Sequence, residues 1–390
     1  MENYLRTTLN KLAMNNYAEL TLVIGNESCD LDSVVSALTY AAYLNWQYTQ
    51  IKCKVCTKAN RDDLVYKDDI FIPILNVDRQ DYDLKTEVVY ALKEQGIGKE
   101  MLVFRDDQDL KSLIIKSKKT SIILVDHHVL SKNDSYMAPH VTEAIDHRPL
   151  DSKDWKYSPD CRRTIELVGS CCSLVAQRVR DLSALVAKEG DFFKEFMTCA
   201  DLLHSTIILD TVNFSKEVNK ATPRDEEVML YLESLLKYKD CESERKRKLD
   251  SLVAARSDVS SLNTAQLLRK DVKILGDVLV PSFPILTKHF LERPNALQAV
   301  SEALTRTGCS MALLLGMDLS GGLKRDGAAV SPENPTKSTQ IVNFLENWIN
   351  PELGLEVETA VGSGCLYFTQ KNLSASRKQY MPALQEFVQI

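Results

Sequence analysis

The chain has 390 residues, a formal net charge of -6 and 44% hydrophobic residues. That length fits two domains, and the acidic balance argues against a general nucleic-acid or anionic-membrane surface. No apolar run reaches the ~20 residues needed to span a bilayer. The opening MENYLRTTLNKLAMNN reads as an amphipathic lead-in helix, not a signal peptide. The 10 cysteines, mostly in apolar contexts, are therefore expected to be reduced and buried in a cytoplasmic protein.

In chain order, LTLVIG predicts a strand and LDSVVSALTYAAYL a helix. IKCKVC and FIPIL read as strands, LKTEVVYALKEQ as a helix, MLVFR as a strand and DLKSLIIK as a helix. SIILVD and VTEAID are further strands, and SLVAQRVRDLSALVA and DLLHSTIILDTVNF are read as helices, though STIILD is also strand-like. Alternation places Cys53 and Cys56 on opposite faces of IKCKVC, against a shared redox or zinc role. The rhythm predicts an α/β fold: a doubly wound, mainly parallel sheet over residues 1–237. Residues 238–263 are charged, then serine-rich, and read as a helical linker and hinge. Their Arg245–Lys248 run is either a solvated helix face or a nuclear address. Residues 264–390 form a smaller α/β domain, with a long helix over about 288–306 and a last one from Arg377.

Several acids share one context. Asp30 and Asp32 follow the first strand, Asp126 and Asp146 end later ones, and Asp210 ends STIILD. Ligands of open α/β sheets bind outside the carboxyl ends of the strands, so these acids are drawn to one crevice. Clustered carboxylates repel one another, and divalent cations resolve the repulsion. Taken singly, each has an ordinary explanation. Asp32 suits a helix N-cap, Asp210 a turn bond, and His127-His128 the surface.

The order of these groups resembles the DHH phosphoesterases, which include family II pyrophosphatases, exopolyphosphatases and, most similar, the animal prune proteins. The first motif is Gly25-Asn26-Glu27-Ser28-Cys29-Asp30-Leu31-Asp32, the third Asp146-His147-Arg148 and the fourth Asp210 in ILDTVNF. Asp126 is taken as the second motif. The literal Asp126-His127-His128 could serve as the third, but Asp106 or Asp107 would then be the second and IDHRPLD would have no role. The resemblance implies two Mg²⁺ or Mn²⁺ ions on Asp30, Asp32, Asp126, His147 and Asp210, with Asp126 bridging and Asn26 a weak ligand. Asn26 stands where pyrophosphatases carry His, which makes the ligand set harder. Arg148 replaces the second His of the triad. It cannot act as a general acid but can hold phosphate oxygens, so slower turnover is expected.

The second domain has Ser320-Gly321-Gly322-Leu323 where the nuclease class carries a glycine-rich histidine motif, and it has no His there. It does have Ser376-Arg377-Lys378, resembling the phosphate-binding Ser-Arg-Lys class. Cations opening a helix go against the usual preference for acids there. Lys273 is the next candidate, with Arg269 and Lys270 behind it. Gly169-Ser170-Cys171-Cys172 opens a helix whose N–H groups would suit an anion or simple packing. Arg79 lines a polyphosphate path or pairs with Asp81 or Asp83. The implied activity is metal-assisted hydrolysis of short-chain polyphosphate or pyrophosphate, with Asp126, His147 and Arg148 catalytic. The alternatives are cyclic-nucleotide phosphodiesterase action and a prune-type interaction role with a nucleoside diphosphate kinase partner.

Overall fold

The computed structural model describes residues 1–51, 67–151, 153, 155–186, 188, 190–319, 322–358 and 364–389. Cys53, Cys56, Ser320 and Gly321 lie outside the described residues. The chain divides into Met1–Arg256 and Ser257–Ile390. The division falls within the 238–263 segment.

The first unit is built on a parallel sheet. Its strands are β1 (Leu20–Ile24), β2 (Ile70–Leu75), β3 (Val103–Phe104), β4 (Thr120–Val125), β5 (Val141–Asp146) and β6 (Arg162–Ile165). Spatial order is β3-β2-β1-β4-β5-β6, every pair parallel. The chain runs outward from β1 to β3, then returns to place β4 on β1's other side. The loops after β1 and β4 therefore part at a topological switch point, where doubly wound sheets hold ligands. Residues alternate between faces along each strand: Leu20, Leu22 and Ile24 enter one core, Val23 the other. With both faces covered, these strands read as unbroken apolar runs.

The helices are α1 (Glu2–Ala13), α2 (Leu31–Ile51), α3 (Thr86–Glu94), α4 (Leu110–Lys116) and α5 (Cys171–Leu185). They continue as α6 (Asp191–Glu195), α7 (Met197–Thr211), α8 (Pro223–Leu236) and α9 (Cys241–Ser257). α2 and α7 are apolar nearly all round and are the buried centre of the helical layer. That accounts for the strand-like look of STIILD, which is the end of α7. α9 lies in the first unit and buries Lys248 and Leu252. Three members of its basic run are ion-paired: Arg245 with Glu233, Arg247 with Glu244, Lys248 with Asp201.

The second unit has β7 (Val272–Leu275), β8 (Val278–Phe283), β9 (Met311–Asp318), β10 (Lys324–Val330), β11 (Leu355–Val357) and β12 (Cys365–Gln370). Their order is β11-β12-β10-β9-β8-β7, mixed, with only β8–β9 parallel among the named pairs. Its helices are α10 (Thr264–Lys270), α11 (Thr287–Leu291), α12 (Ala296–Thr307), α13 (Pro335–Glu346) and α14 (Arg377–Phe387). The long helix expected over 288–306 is two helices. Pro294 and left-handed Asn295 (φ 60°) break it between α11 and α12. Among the described residues, no helix is long and apolar enough to cross a membrane.

Candidate metal centre

The site begins in the β1–α2 loop. A side chain at Gly25 would bring a Cβ within 3.0 Å of the Ser33 carbonyl oxygen, so glycine lets the helix start close on the strand end. Asp30, not Asp32, caps α2: its Oδ1 accepts the Ser33 N–H at 3.1 Å. Asp32, the second residue of α2, is buried and faces the start of α5. It accepts from Cys171 N (2.7 Å), Cys172 N (2.8 Å) and Ser170 Oγ (3.0 Å). The Gly169–Cys172 helix start does meet an anion, and that anion is the chain's own Asp32.

Asp126 follows β4 in the left-handed region (φ 60°), with its N–H on the Ile145 carbonyl at 2.9 Å. Two side chains hold its carbonyl: Asn26 Nδ2 at 3.1 Å and Arg148 Nη1 at 2.6 Å. Ser33 Oγ donates to its Oδ2 at 2.5 Å. His147 Nε2 stands 3.3 Å from Asp126 Oδ1 and 3.8 Å from Asp32 Oδ2. Its Nδ1 donates to the Val168 carbonyl at 3.1 Å, which orients the ring and leaves Nε2 for the acids or an ion. Ligand atoms of Asp32, Asp126 and His147 all lie within 4.8 Å of one another.

Asp146 stays outside this triad. Its Oδ1 accepts the His147 and Arg148 N–H groups at 2.8 and 3.3 Å, and its Oδ2 meets His128 Nδ1 at 2.5 Å. The two motifs thus interlock: His147 serves Asp126, and His128 serves Asp146. Asp106 and Asp107 bond Arg79, so Asp126 is the acid of the cluster.

Asp210 lies in the last turn of α7 rather than at a strand end. Its Oδ2 is buried without a hydrogen-bond partner, and Lys220 Nζ stands 4.0 Å from its Oδ1. Burial, then the Asp32 charge, drives its carboxyl well above the ordinary range. Burial also raises Asp126, to about 6, with Asp32 and Asp30 adding to the rise against the His147 hydrogen bond. Burial alone would lower His147, but the Asp126 bond and the Asp32 charge raise it to about 9. All three groups hold protons more tightly than usual, so the cluster is short of positive charge. An orphaned buried carboxylate oxygen beside an oxygen-rich set with one imidazole nitrogen fits a hard divalent ion.

Residues 21–207 match the DHH family N-terminal domain, and residues 250–387 match the DHHA2 domain. Exopolyphosphatase PRUNE1 of Rattus norvegicus is 35% identical over 392 residues, 99% of this chain and 79% of that one. Its Homo sapiens counterpart is 34% identical over 393 residues, with the same shares. The chain belongs to the DHH family. Protein prune homolog 2 of Mus musculus is 24% identical over the whole of this chain but only 11% of its own length.

Other positions with DHH motif counterparts behave differently from the triad. Asn26 spends its amide nitrogen on Asp126 and its oxygen on the Ser28 N–H (3.1 Å), bracketing two loops. Arg148 reaches Asp126 Oδ1 at 3.4 Å and also lines a cavity of about 280 Å³ with His127 and Asn76. The acid that Arg79 pairs with is Asp107, not Asp81 or Asp83. Arg79 Nε and Nη2 grip both Asp107 oxygens at 2.5 Å, and the guanidinium stacks 4.4 Å over Phe104. In the DHHA2 unit, Ser376 caps α14 and Arg377 pairs with Asp271 at 2.6 Å. That acid offsets the unfavourable cation at the helix start. Lys378 is exposed there, as is Lys273 on edge strand β7. Arg269 and Lys270 end α10.

Sequence reasoning missed Asp225. Fully buried, it accepts from Gly169 N (2.8 Å), Ser173 Oγ (2.6 Å), Thr222 N (2.8 Å) and Thr222 Oγ1 (2.7 Å). It braces the helix start that holds Asp32. The capping-box pattern Thr222-Pro223-Arg224-Asp225 is the sequence signal that could have marked it, and it announces only the helix cap, not the bonds to Gly169 and Ser173.

Proposed function

We propose that this chain hydrolyses phosphoanhydride bonds of short-chain polyphosphate, and also pyrophosphate, with two divalent ions, Mg²⁺ or Mn²⁺, held by Asp30, Asp32, Asp126, His147 and Asp210. The observation that carries the reading is the approach of Asp32, Asp126 and His147 within 4.8 Å, beside Asp210's partnerless oxygen. Bound ions would supply Lewis acidity and a water of lowered pKa. The chain's part is to place the donors: α5's N-terminus fixes Asp32, the Val168 carbonyl fixes His147, and Ser33 fixes Asp126. Asp126 is the bridging candidate, because its two oxygens face different neighbours.

Arg148 would hold a phosphoryl oxygen in the position the second DHH histidine takes in the family. A guanidinium is too weak an acid to serve as general acid, so leaving-group protonation would fall to water. Lys273, Arg377 and Lys378 are the DHHA2 candidates for the distal phosphates, with Arg377 first having to share its charge with Asp271. Arg79 is not retained as a substrate contact, since Asp107 and Phe104 occupy both its edge and its face.

The test is phosphate release from triphosphate, tetraphosphate and pyrophosphate, beside cyclic AMP hydrolysis, with and without Mn²⁺. Release from the polyphosphates that vanishes in Asp126→Ala, with an unchanged circular dichroism spectrum, is the expected outcome. Turnover confined to cyclic AMP would transfer the site to phosphodiesters. Metal-dependent turnover surviving in Asp126→Ala would refute the bridging role.

A further inference from the structure

Among the described residues, three basic side chains stand within ion-pair distance of Asp32, Asp126 and Asp210. His147 and Arg148 both serve Asp126, and His147 also serves Asp32. Lys220 alone serves Asp210, and it does so differently. Arg148 is locked by a 2.6 Å bond to the Asp126 carbonyl, whereas the Lys220 ammonium stands 4.0 Å off, beyond hydrogen-bond range. Its side chain is 43% exposed, while Asp210 Oδ2 is buried and partnerless.

The backbone beneath Lys220 is fixed at both ends. At one end α7 stops at Val212 in the left-handed region, and the Asn213 N–H turns back to the Ile208 carbonyl at 2.8 Å. At the other end Thr222 is tied to buried Asp225, which also holds Gly169 and Ser173. The loop thus delivers a flexible four-carbon stem and a point charge to the edge of the cluster from a fixed root.

We propose that Lys220 is a substrate-binding residue of this site and the counter-ion of Asp210 before metal binds. With a divalent cation held at Asp210 the ammonium would lose its counter-ion, and its three donors would be free for the nearest anion, a non-bridging phosphoryl oxygen of the substrate. A compact ammonium suits that exchange better than a planar guanidinium, since it needs no fixed bonding direction. The inference rests on the hydrolase reading above and adds a residue that neither DHH motif nor strand-end logic supplies.

Lys220→Met and Lys220→Arg in the full chain test it. Calorimetric Mn²⁺ titration without substrate reads the counter-ion role, and KM and kcat on triphosphate read the substrate role. Lys220→Met is expected to bind Mn²⁺ several-fold more tightly, because a competing charge is gone. Its KM should rise about tenfold or more, the worth of one hydrogen bond to a charged group, with a smaller change in kcat. Lys220→Arg should recover KM in part. Unchanged or weaker Mn²⁺ binding in Lys220→Met, or an unchanged KM, would overturn the proposal. Failure of the wild type to turn over triphosphate would instead sink the hydrolase reading, and the calorimetric arm would still decide the counter-ion role.

Discussion

Replacing Asp225 by Ala removes a carboxylate that no substrate or metal is expected to touch, yet the structure gives it a large effect. Four donors converge on it: two backbone N–H groups and two hydroxyls. The hydroxyls of Ser173 and Thr222 can rotate to other acceptors. The Gly169 and Thr222 N–H groups cannot, and an unsatisfied buried donor costs about 1–3 kcal/mol. Two such donors give a destabilisation of about 2–6 kcal/mol. At about 2–4 °C per kcal/mol for a unit of this size, the melting temperature should fall by roughly 10 °C. Gly169 lies next to Ser170 and Cys171, which hold Asp32, so Mn²⁺ affinity should fall about 10–100-fold, as for other outer-shell metal partners. Asp225→Asn keeps the shape and acceptors for most of the donors, and should lose less in both measurements. Thermal unfolding with and without Mn²⁺, and calorimetric titration of both variants, supply the numbers. An Asp225→Ala protein that melts within 2 °C of the wild type (less than about 1 kcal/mol), or binds Mn²⁺ unchanged, would refute the brace.

Two further outcomes follow from side chains away from the metal centre. Burial, then the Lys248 ammonium 3.2 Å from Nδ1, lowers His204 to about 4. A histidine depressed from its ordinary value of 6.5 stays neutral in the fold while the unfolded chain takes up the proton, so its contribution is present above pH 6.5 and lost as pH falls towards 4. A depression of this size is worth on the order of 3 kcal/mol; urea unfolding from pH 7 to 4 should be less steeply acid-sensitive in His204→Gln, and an identical slope would contradict it. Arg79→Lys breaks a two-pronged bond to Asp107 and the stack on Phe104, and should lower stability by about 1 kcal/mol while leaving KM for triphosphate alone; a raised KM would restore Arg79 to the substrate path.

The sheet of the first unit was legible because both its faces are covered, which writes each strand as an apolar run between turn residues. β6 was not: RRTI is half exposed and polar, the signature of an edge strand that any loop could share. α7 read ambiguously for the opposite reason, since a helix buried all round carries no periodic polar face. At the site, the order of the acids and the resemblance to the DHH family pointed to Asp32, Asp126 and His147, whose ligand atoms lie within 4.8 Å of one another. The assignment of the cap to Asp30, the engagement of Gly169–Cys172 by Asp32, and the pairing of Arg377 with Asp271 were out of reach. Each depends on which of two chemically equal partners is nearer in space, and one-dimensional spacing does not encode that.

Backbone strain gathers around the same region, though not there alone: of the nine positive-φ non-glycine residues in the described chain, five flank the acids. Cys29 (φ 46°), Asp126 (φ 60°) and the run Val212, Asn213 and Phe214 (φ 50°, 50° and 60°) are all non-glycine residues in the left-handed region. Each costs of order 1–3 kcal/mol and persists only where surrounding contacts over-determine it. Those contacts are present: Asn26 and Arg148 grip the Asp126 carbonyl, and the Asn213 and Phe214 N–H groups bond back into the end of α7. A β-branched residue such as Val212 is the costliest kind to place there. Cys29 precedes Asp30, Asp126 is itself an acid of the cluster, and Val212 begins the turn two residues after Asp210. Strain sits beside three of the four acids and is offset by bonds from their neighbours, so a fold already bent toward these positions spends little reorganising when an ion arrives. That is the physical reason a cluster of carboxylates, each unfavourable beside the next, is held together at the switch point instead of relaxing apart.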